Sequence, residues 1–217
     1  MIDREKDFAA KIDHTLLDKD ATVEAYDAVV EEAAELGTNV CLPPSRLDRV
    51  PDDFDGEVVA VVDFPHGTTT PEVKAYEARA AVEAGATEID FACSISFLKS
   101  DEEDAFVRDV CAVADAVPCA TKAIIETGLL TDEEKRRAAR LCVDAGAEYV
   151  KTCTGYAPGK ATVEDVRLLK DAVGNDARVK ASGGISDAET ALRMLEAGAS
   201  RVGASAGDEL VRGVREL

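Results

Sequence analysis

The sequence offers little for holding a metal ion. It has only two histidines, His14 and His66, without ligand spacing, and its six cysteines (41, 93, 111, 119, 142, 153) contain no Cys-x-x-Cys pair. Zinc is therefore not expected. The cysteines lie mostly in apolar segments and read as reduced, small core residues of a cytoplasmic protein. No apolar run approaches the ~20 residues needed to cross a bilayer. The opening stretch MIDREKDFAAKIDHTLL lacks an apolar h-region, so no secretory leader is expected. Basic residues are in deficit, with 25 Lys and Arg against 44 Asp and Glu and a formal net charge of −19. Such a surface repels nucleic acid and anionic membranes, and neither is an expected partner. No linker or low-complexity segment divides the 217 residues, a length that suits one α/β barrel domain spanning 1–217.

What is present is spread evenly. The acids fall in short runs such as Glu31-Glu32, Asp101–Asp104 and Asp132–Glu134, which read as solvated helix faces. An excess this large suits a halophilic cytoplasm, where self-repulsion is screened; activity and melting temperature are expected to fall in low salt. A helical stretch, a small-residue turn and a short apolar run recur together. Examples are Glu35-Leu-Gly-Thr-Asn-Val-Cys41, Glu83-Ala-Gly-Ala-Thr-Glu-Ile-Asp90, Asp144-Ala-Gly-Ala-Glu-Tyr-Val150 and Glu196-Ala-Gly-Ala-Ser-Arg-Val202. Glycine takes the left-handed cap that ends a helix, and a strand follows.

Eight strands are predicted near 12–17, 38–42, 57–63, 87–93, 118–125, 148–152, 177–182 and 200–204. The helical faces between them include Val23, Tyr26, Val30 and Ala33; Val163, Val166 and Leu169; and Ala188, Ala191, Leu192 and Leu195. Thr131-Asp132, Ser186-Asp187 and Thr70-Pro71 mark helix starts, and only the helix between the second and third strands is poorly marked. Alternation of strand and helix means parallel strands joined by crossovers, and eight units suggest a closed (β/α)8 TIM barrel. An open doubly wound sheet is the alternative, but no Gly-x-Gly-x-x-Gly follows the first strand.

Barrel chemistry lies at the C-terminal ends of the strands. Polar residues there are Asp13-His14-Thr15, Asp63, Asp90, Lys122, Lys151 and Lys180. Side chains on adjacent strands stand roughly 5 Å apart, so the three lysines crowd one another. Burial and a like charge both disfavour an ammonium, and full burial lowers a lysine pKa by up to ~3–5 units. A lysine neutral near pH 7 can attack a carbonyl to form a Schiff base, with a carboxylate shuttling protons. Structural salt bridges to Asp90 and Asp63 are the competing explanation of these lysines. Spacing alone does not choose between Lys151 and Lys180. Ser182-Gly183-Gly184 after the seventh strand and Gly203-Ala-Ser205 ending the eighth suit a phosphate, because bare backbone N–H groups and a helix N-terminus attract anions there.

These residues resemble the deoxyribose-phosphate aldolase family of class I aldolases over nearly the whole chain. The matching blocks are Ile12-Asp-His-Thr-Leu-Leu17, Phe64-Pro-His-Gly-Thr-Thr-Thr70, Glu72-Val-Lys-Ala75, Glu88-Ile-Asp90, Leu98-Lys-Ser100, Ile124-Ile-Glu-Thr-Gly128, Leu130-Thr-Asp-Glu-Glu-Lys135, Val150-Lys-Thr-Cys-Thr-Gly155, Ala161–Val166 and Val179-Lys-Ala-Ser-Gly-Gly-Ile185. The resemblance implies reversible, metal-free cleavage of 2-deoxy-D-ribose 5-phosphate to glyceraldehyde 3-phosphate and acetaldehyde. It assigns the Schiff base to Lys151, pKa lowering and proton transfer to Lys180, and a proton relay through water to Asp90. Ser182, Gly183, Gly184, Gly203 and Ser205, with Lys122 and Thr152, are the expected substrate and phosphate contacts. A homo-oligomer is expected.

The chain departs from the family at Pro43-Pro44, where Asn-Pro is common, at Ser94, where Asn is common, and at Cys153, where Ser is common. The first two are placed to alter substrate contacts, whereas Cys153, His14 and His66 read as structural. The rival functions are a phosphate-binding barrel isomerase using Asp90 or Asp63 as base, and a non-catalytic sugar-phosphate sensor.

Overall fold

A computed structural model describes residues 4–217; residues 1–3, which open the stretch considered for a leader, lie outside the described residues. Helix α1 (Arg4–Ala9) leads into β1 (Ile12–Thr15), α2 (Val23–Leu36) and β2 (Asn39–Leu42). A single 3-10 stretch, Pro44–Arg49, connects β2 to β3 (Val58–Val62), which explains the weak helical signal there. Next come α3 (Pro71–Glu83), β4 (Glu88–Ala92), α4 (Ile95–Lys99), α5 (Glu103–Ala114) and β5 (Ala120–Ile124). The chain continues through α6 (Asp132–Asp144), β6 (Tyr149–Lys151), α7 (Val163–Val173), β7 (Arg178–Ser182), α8 (Ala188–Glu196), β8 (Arg201–Ala204) and α9 (Gly207–Val214). Every strand pairs in parallel with the next, and β8 returns to β1 with Ile12 opposite Val202, so the sheet closes into a (β/α)8 barrel.

Local signals hold the helices in place. Thr131 caps α6 in a reciprocal capping box with Glu134, and Asp187 caps α8 through the Thr190 N–H. The helix-ending glycines Gly37, Gly85, Gly146 and Gly198 all have positive φ, between 69° and 114°. The outer core fills the space between barrel and helices with residues such as Phe8, Tyr26, Val30, Phe91, Phe106, Ile125 and Leu169. One position expected on the α2 face, Val23, is exposed, because it is the first residue of that helix. No helix of the described residues is long and apolar enough to cross a membrane.

The lumen is unlike the outer core. Alternation along the strands turns every second residue inward. On one side the inward set is apolar, with Cys41, Val59 and Val61 packed against Leu17 and Phe64. On the other side it is charged: Asp13, Glu88, Asp90, Lys122, Lys151 and Lys180 are all buried, and Arg201 is mostly so.

Candidate active site

Strand register stacks these charges in two tiers. Lys151 lies opposite Lys180 and Ile124, whereas Lys122 lies opposite Asp90 and Tyr149, which puts Lys122 two positions deeper than Lys151. Asp90 is the hub. Its Oδ2 accepts from Lys151 Nζ and from Lys180 Nζ, each at 2.6 Å, and its Oδ1 lies 3.0 Å from Lys122 Nζ. Lys180 also donates to Asp13 Oδ2. Arg201 spans Asp13 (2.9 Å) and Glu88 (3.1 Å), and Glu88 in turn meets Lys122 at 2.6 Å. Gly203 makes room for this network, because a Cβ there would stand 3.2 Å from Lys180 Cε.

Charge balance then singles out one amine. The cluster holds three carboxylates (Asp13, Glu88, Asp90) and four basic groups (Lys122, Lys151, Lys180, Arg201). A buried cluster favours neutrality, so one base is disposed to give up its proton. Lys180, Lys122 and Arg201 each touch two carboxylates; Lys151 touches only Asp90, which it shares with two other ammonium groups. The pKa directions agree. Burial lowers Lys151, and Lys180 lowers it further, against the pull of Asp90. Lys180 is buried as deeply, but Asp13 and Asp90 outweigh that cost and raise it. Burial would raise Asp90, yet Lys122, Lys151 and Lys180 together hold it well below the usual carboxylate range. Of the two causes that the sequence suggested, burial leads, and the Lys180 cation, to which the family resemblance assigns the lowering, adds to it.

Above this network opens a cavity of about 420 Å³, lined by Lys151, by the Thr154–Tyr156 turn, by Ser182–Ser186 and by Gly203–Ala206. Among the described lysines, only Lys151 lines it. The Gly183 and Gly184 backbones sit at φ 97° and 75°, and a Cβ on Gly183 would approach Cys153 Cβ to 2.9 Å. That turn therefore stays bare, exposing backbone to the cavity beside the start of α9.

A DeoC/LacD family aldolase model matches residues 8–214. The chain belongs to that aldolase family. The enzyme is thus a carbon–carbon lyase. It is 46% identical over 213 residues to a deoxyribose-phosphate aldolase of Staphylococcus carnosus, covering 96% of this chain and 97% of the relative. A solved aldolase, QR15, superposes with a TM-score of 0.93 at 36% identity, covering 100% of this chain and 97% of that one. The deoxyribose phosphate aldolase of Aeropyrum pernix, described as a unique tetramer, gives 0.90 at 30% identity, covering 97% and 92%.

The aldolase places several expected site residues elsewhere. Lys122 does not reach the cavity; it is 0% exposed beneath Asp90 and braces the hub from below. Thr152 faces away from the cavity, its hydroxyl donating to the Ser182 carbonyl (2.8 Å) and accepting from the Ser182 N–H, so it ties β6 to β7. Asp63 leaves the lumen altogether and lies 3.5 Å from Lys74 under α3. Pro43 stands at the N-cap of the 3-10 stretch without a side-chain cap bond, and Ser94 donates its N–H to Asp109; neither lines the cavity, so both departures sit in the scaffold. Cys153 is buried against Thr127 Oγ1 at 3.2 Å. His14 bonds Glu32 at 3.0 Å outside the lumen, with Asp208 nearby, and His66 is exposed on the loop after β3. Sequence reasoning missed Glu88 and Arg201. The signal was there: both lie two residues before a recognised inward position, Asp90 and Gly203.

Proposed function

We propose that this chain is a class I deoxyribose-phosphate aldolase that cleaves 2-deoxy-D-ribose 5-phosphate reversibly through a Schiff base on Lys151. One observation carries the proposal: the one lysine that lines the cavity among the described residues is also the base that the buried charge balance leaves short of partners. Neutral Lys151 attacks the C1 aldehyde of the open-chain sugar, water leaves, and an iminium forms. The iminium restores a positive charge to a cluster that was neutral without it. Electron flow from the C2–C3 bond into the iminium removes that charge again, which favours cleavage. The C3 hydroxyl gives up its proton to a water positioned by the Asp90–Lys180 pair, which hands it back when the enamine is protonated, and glyceraldehyde 3-phosphate departs. The enamine takes a proton at C2, and hydrolysis releases acetaldehyde and frees Lys151. Ser182, Gly183, Gly184, Gly203 and Ser205 line the end of the cavity that receives the phosphate.

A carboxylate-base isomerase is less well supported, because neither Asp90 nor Asp63 lines the cavity to reach a substrate directly, and Asp63 faces Lys74. The chemistry described uses no metal or cofactor. In the cell the enzyme would act in the cytoplasm, in deoxyribose phosphate catabolism, as a single-domain protomer of a homo-oligomer. Val73 and Tyr76, exposed one turn apart on α3, suit such self-association. The net charge of −19 supports a high-salt setting.

The test is acetaldehyde release from 2-deoxyribose 5-phosphate in high salt, with and without borohydride. Turnover and a reduced covalent adduct mapped to Lys151 are expected; turnover insensitive to borohydride would overturn the mechanism.

A further inference from the structure

The mouth cavity has an uneven charge lining. Among the described residues its ionisable carboxylate and amine are Asp18, exposed on the loop after β1, and Lys151, 4% exposed at the floor. The rest of the lining is neutral, drawn from Thr15 and Leu17 at and just after the end of β1 and from the ends of β7 and β8 and the turns after β6, β7 and β8. Lys160 lays its stem along the outside of the Gly183-Gly184 turn, where a Cβ on Gly184 would meet its Cδ at 3.2 Å, but among the described residues no arginine and no lysine other than Lys151 lines the cavity itself. Asp18 is also held in position. The Tyr156 hydroxyl donates to Asp18 Oδ1 at 3.4 Å, joining the loops after β1 and β6 across the rim. The Tyr26 hydroxyl donates to the Asp18 carbonyl at 3.4 Å from below. Tyr156 is in turn set edge-on against Phe64, with ring centroids 5.4 Å apart at 88°, and the Phe64 ring centroid lies 5.8 Å from Lys151 Nζ.

A phosphate entering this cavity meets the backbone N–H groups of the Gly183-Gly184 turn, flanked by Lys160, and shares the lining with the Asp18 carboxylate. We propose that Asp18, tethered by Tyr156, is a specificity-determining residue: it opposes the phosphate of a sugar phosphate and makes its binding depend on dissolved salt. The proposal rests on the sugar-phosphate reading above and adds to it a residue that selects against negative charge. The physical basis is screening. At ~0.01 M salt the Debye length is about 30 Å and Asp18 acts across the whole cavity; at ~1 M it is about 3 Å and the repulsion vanishes. The same carboxylate has no such effect on an uncharged sugar.

The experiment compares kcat/KM for 2-deoxyribose 5-phosphate with that for unphosphorylated 2-deoxyribose, in low and high KCl. Wild type, Asp18→Asn and the remote control Glu133→Gln, exposed on α6, are measured together. Asp18→Asn is expected to raise the phosphorylated-to-unphosphorylated ratio about fivefold in low salt and less than about twofold in high salt. Glu133→Gln is expected to leave the ratio where it was. Calorimetric binding of inorganic phosphate gives a second readout that needs no turnover, and Asp18→Asn is expected to tighten it severalfold in low salt only. An unchanged ratio and unchanged phosphate affinity in Asp18→Asn would overturn the inference, as would an equal effect of Glu133→Gln. Failure of the Schiff-base reading would show differently, as turnover without a borohydride adduct while phosphate affinity still responds to Asp18→Asn.

Discussion

Of the four lysines that are buried almost completely among the described residues, Lys74 and Lys151 have opposite surroundings. Lys74 on α3 is 0% exposed and its ammonium is fully engaged: Asp109 at 2.8 Å, the Ala92 carbonyl at 2.9 Å, the Gly67 carbonyl at 3.3 Å, and Asp63 at 3.5 Å. It touches no cavity among those described. Lys151 is 4% exposed, has one carboxylate that it shares with Lys122 and Lys180, and opens onto the 420 Å³ mouth. Burial alone therefore does not mark a reactive amine. The balance of partners does: a lysine with more acceptors than it has protons is a brace, and one that shares a single acceptor is a nucleophile in waiting.

The sharpest way to break this contrast is to remove each amine. Lys151→Met should lower turnover by roughly 10⁴-fold or more, since it deletes the group that we propose forms the covalent intermediate. Its melting temperature should hold or rise, because a poorly partnered buried base is replaced by an apolar chain. Lys74→Met should do the reverse. It strands Asp109 without its cation in a buried site, and about 3–5 kcal/mol of stability should be lost in chemical denaturation. Equal destabilisation by both would erase the distinction.

A smaller effect tests charge balance itself. Arg201→Leu removes one base and leaves three lysines to three carboxylates, so Lys151 should keep its proton to higher pH. The acid limb of kcat/KM should move upward along the pH axis. Activity at neutral pH should fall about tenfold for each pH unit that the limb moves, and recover in alkali. A profile displaced in height but not along the pH axis would mean that Arg201 only packs.

The smallest effect is on stability. The Lys151 pKa is lower in the folded than in the unfolded chain, so between these two values the unfolded chain binds more protons. Stability from this group is complete above about 10.5, the unfolded range, and is lost as pH falls through the folded value. Wild type should therefore gain on Lys151→Met as pH rises towards that range, by denaturant titration at several pH values. A parallel pair of curves would count against the lowered pKa.

Much of this was legible in the chain. The Glu-Ala-Gly-Ala turns marked the helix ends, and alternation marked the inward residues, so Asp90, Lys151 and Lys180 converge as their strand positions imply. Depth along a strand was less legible. Lys122 sits in the lower tier because β5 is offset against β6, a register that depends on barrel shear and not on any local motif. Lys74 escaped notice because a lysine on an acidic helix reads as surface; only the packing of α3 on the loop after β3 buries it. Asp18 and Tyr156 lie in loops, where no periodicity reports which residues meet across the rim.

The central claim is the protonation state of one amine, and it can be observed directly. In protein carrying ¹³C-labelled lysine, with signals assigned through Lys151→Arg, the Lys151 ε-carbon should titrate below the ordinary lysine range near 10.5, while Lys122 and Lys180 stay protonated above it. A Lys151 signal that titrates at or above that range, in a folded and active sample, would contradict the account.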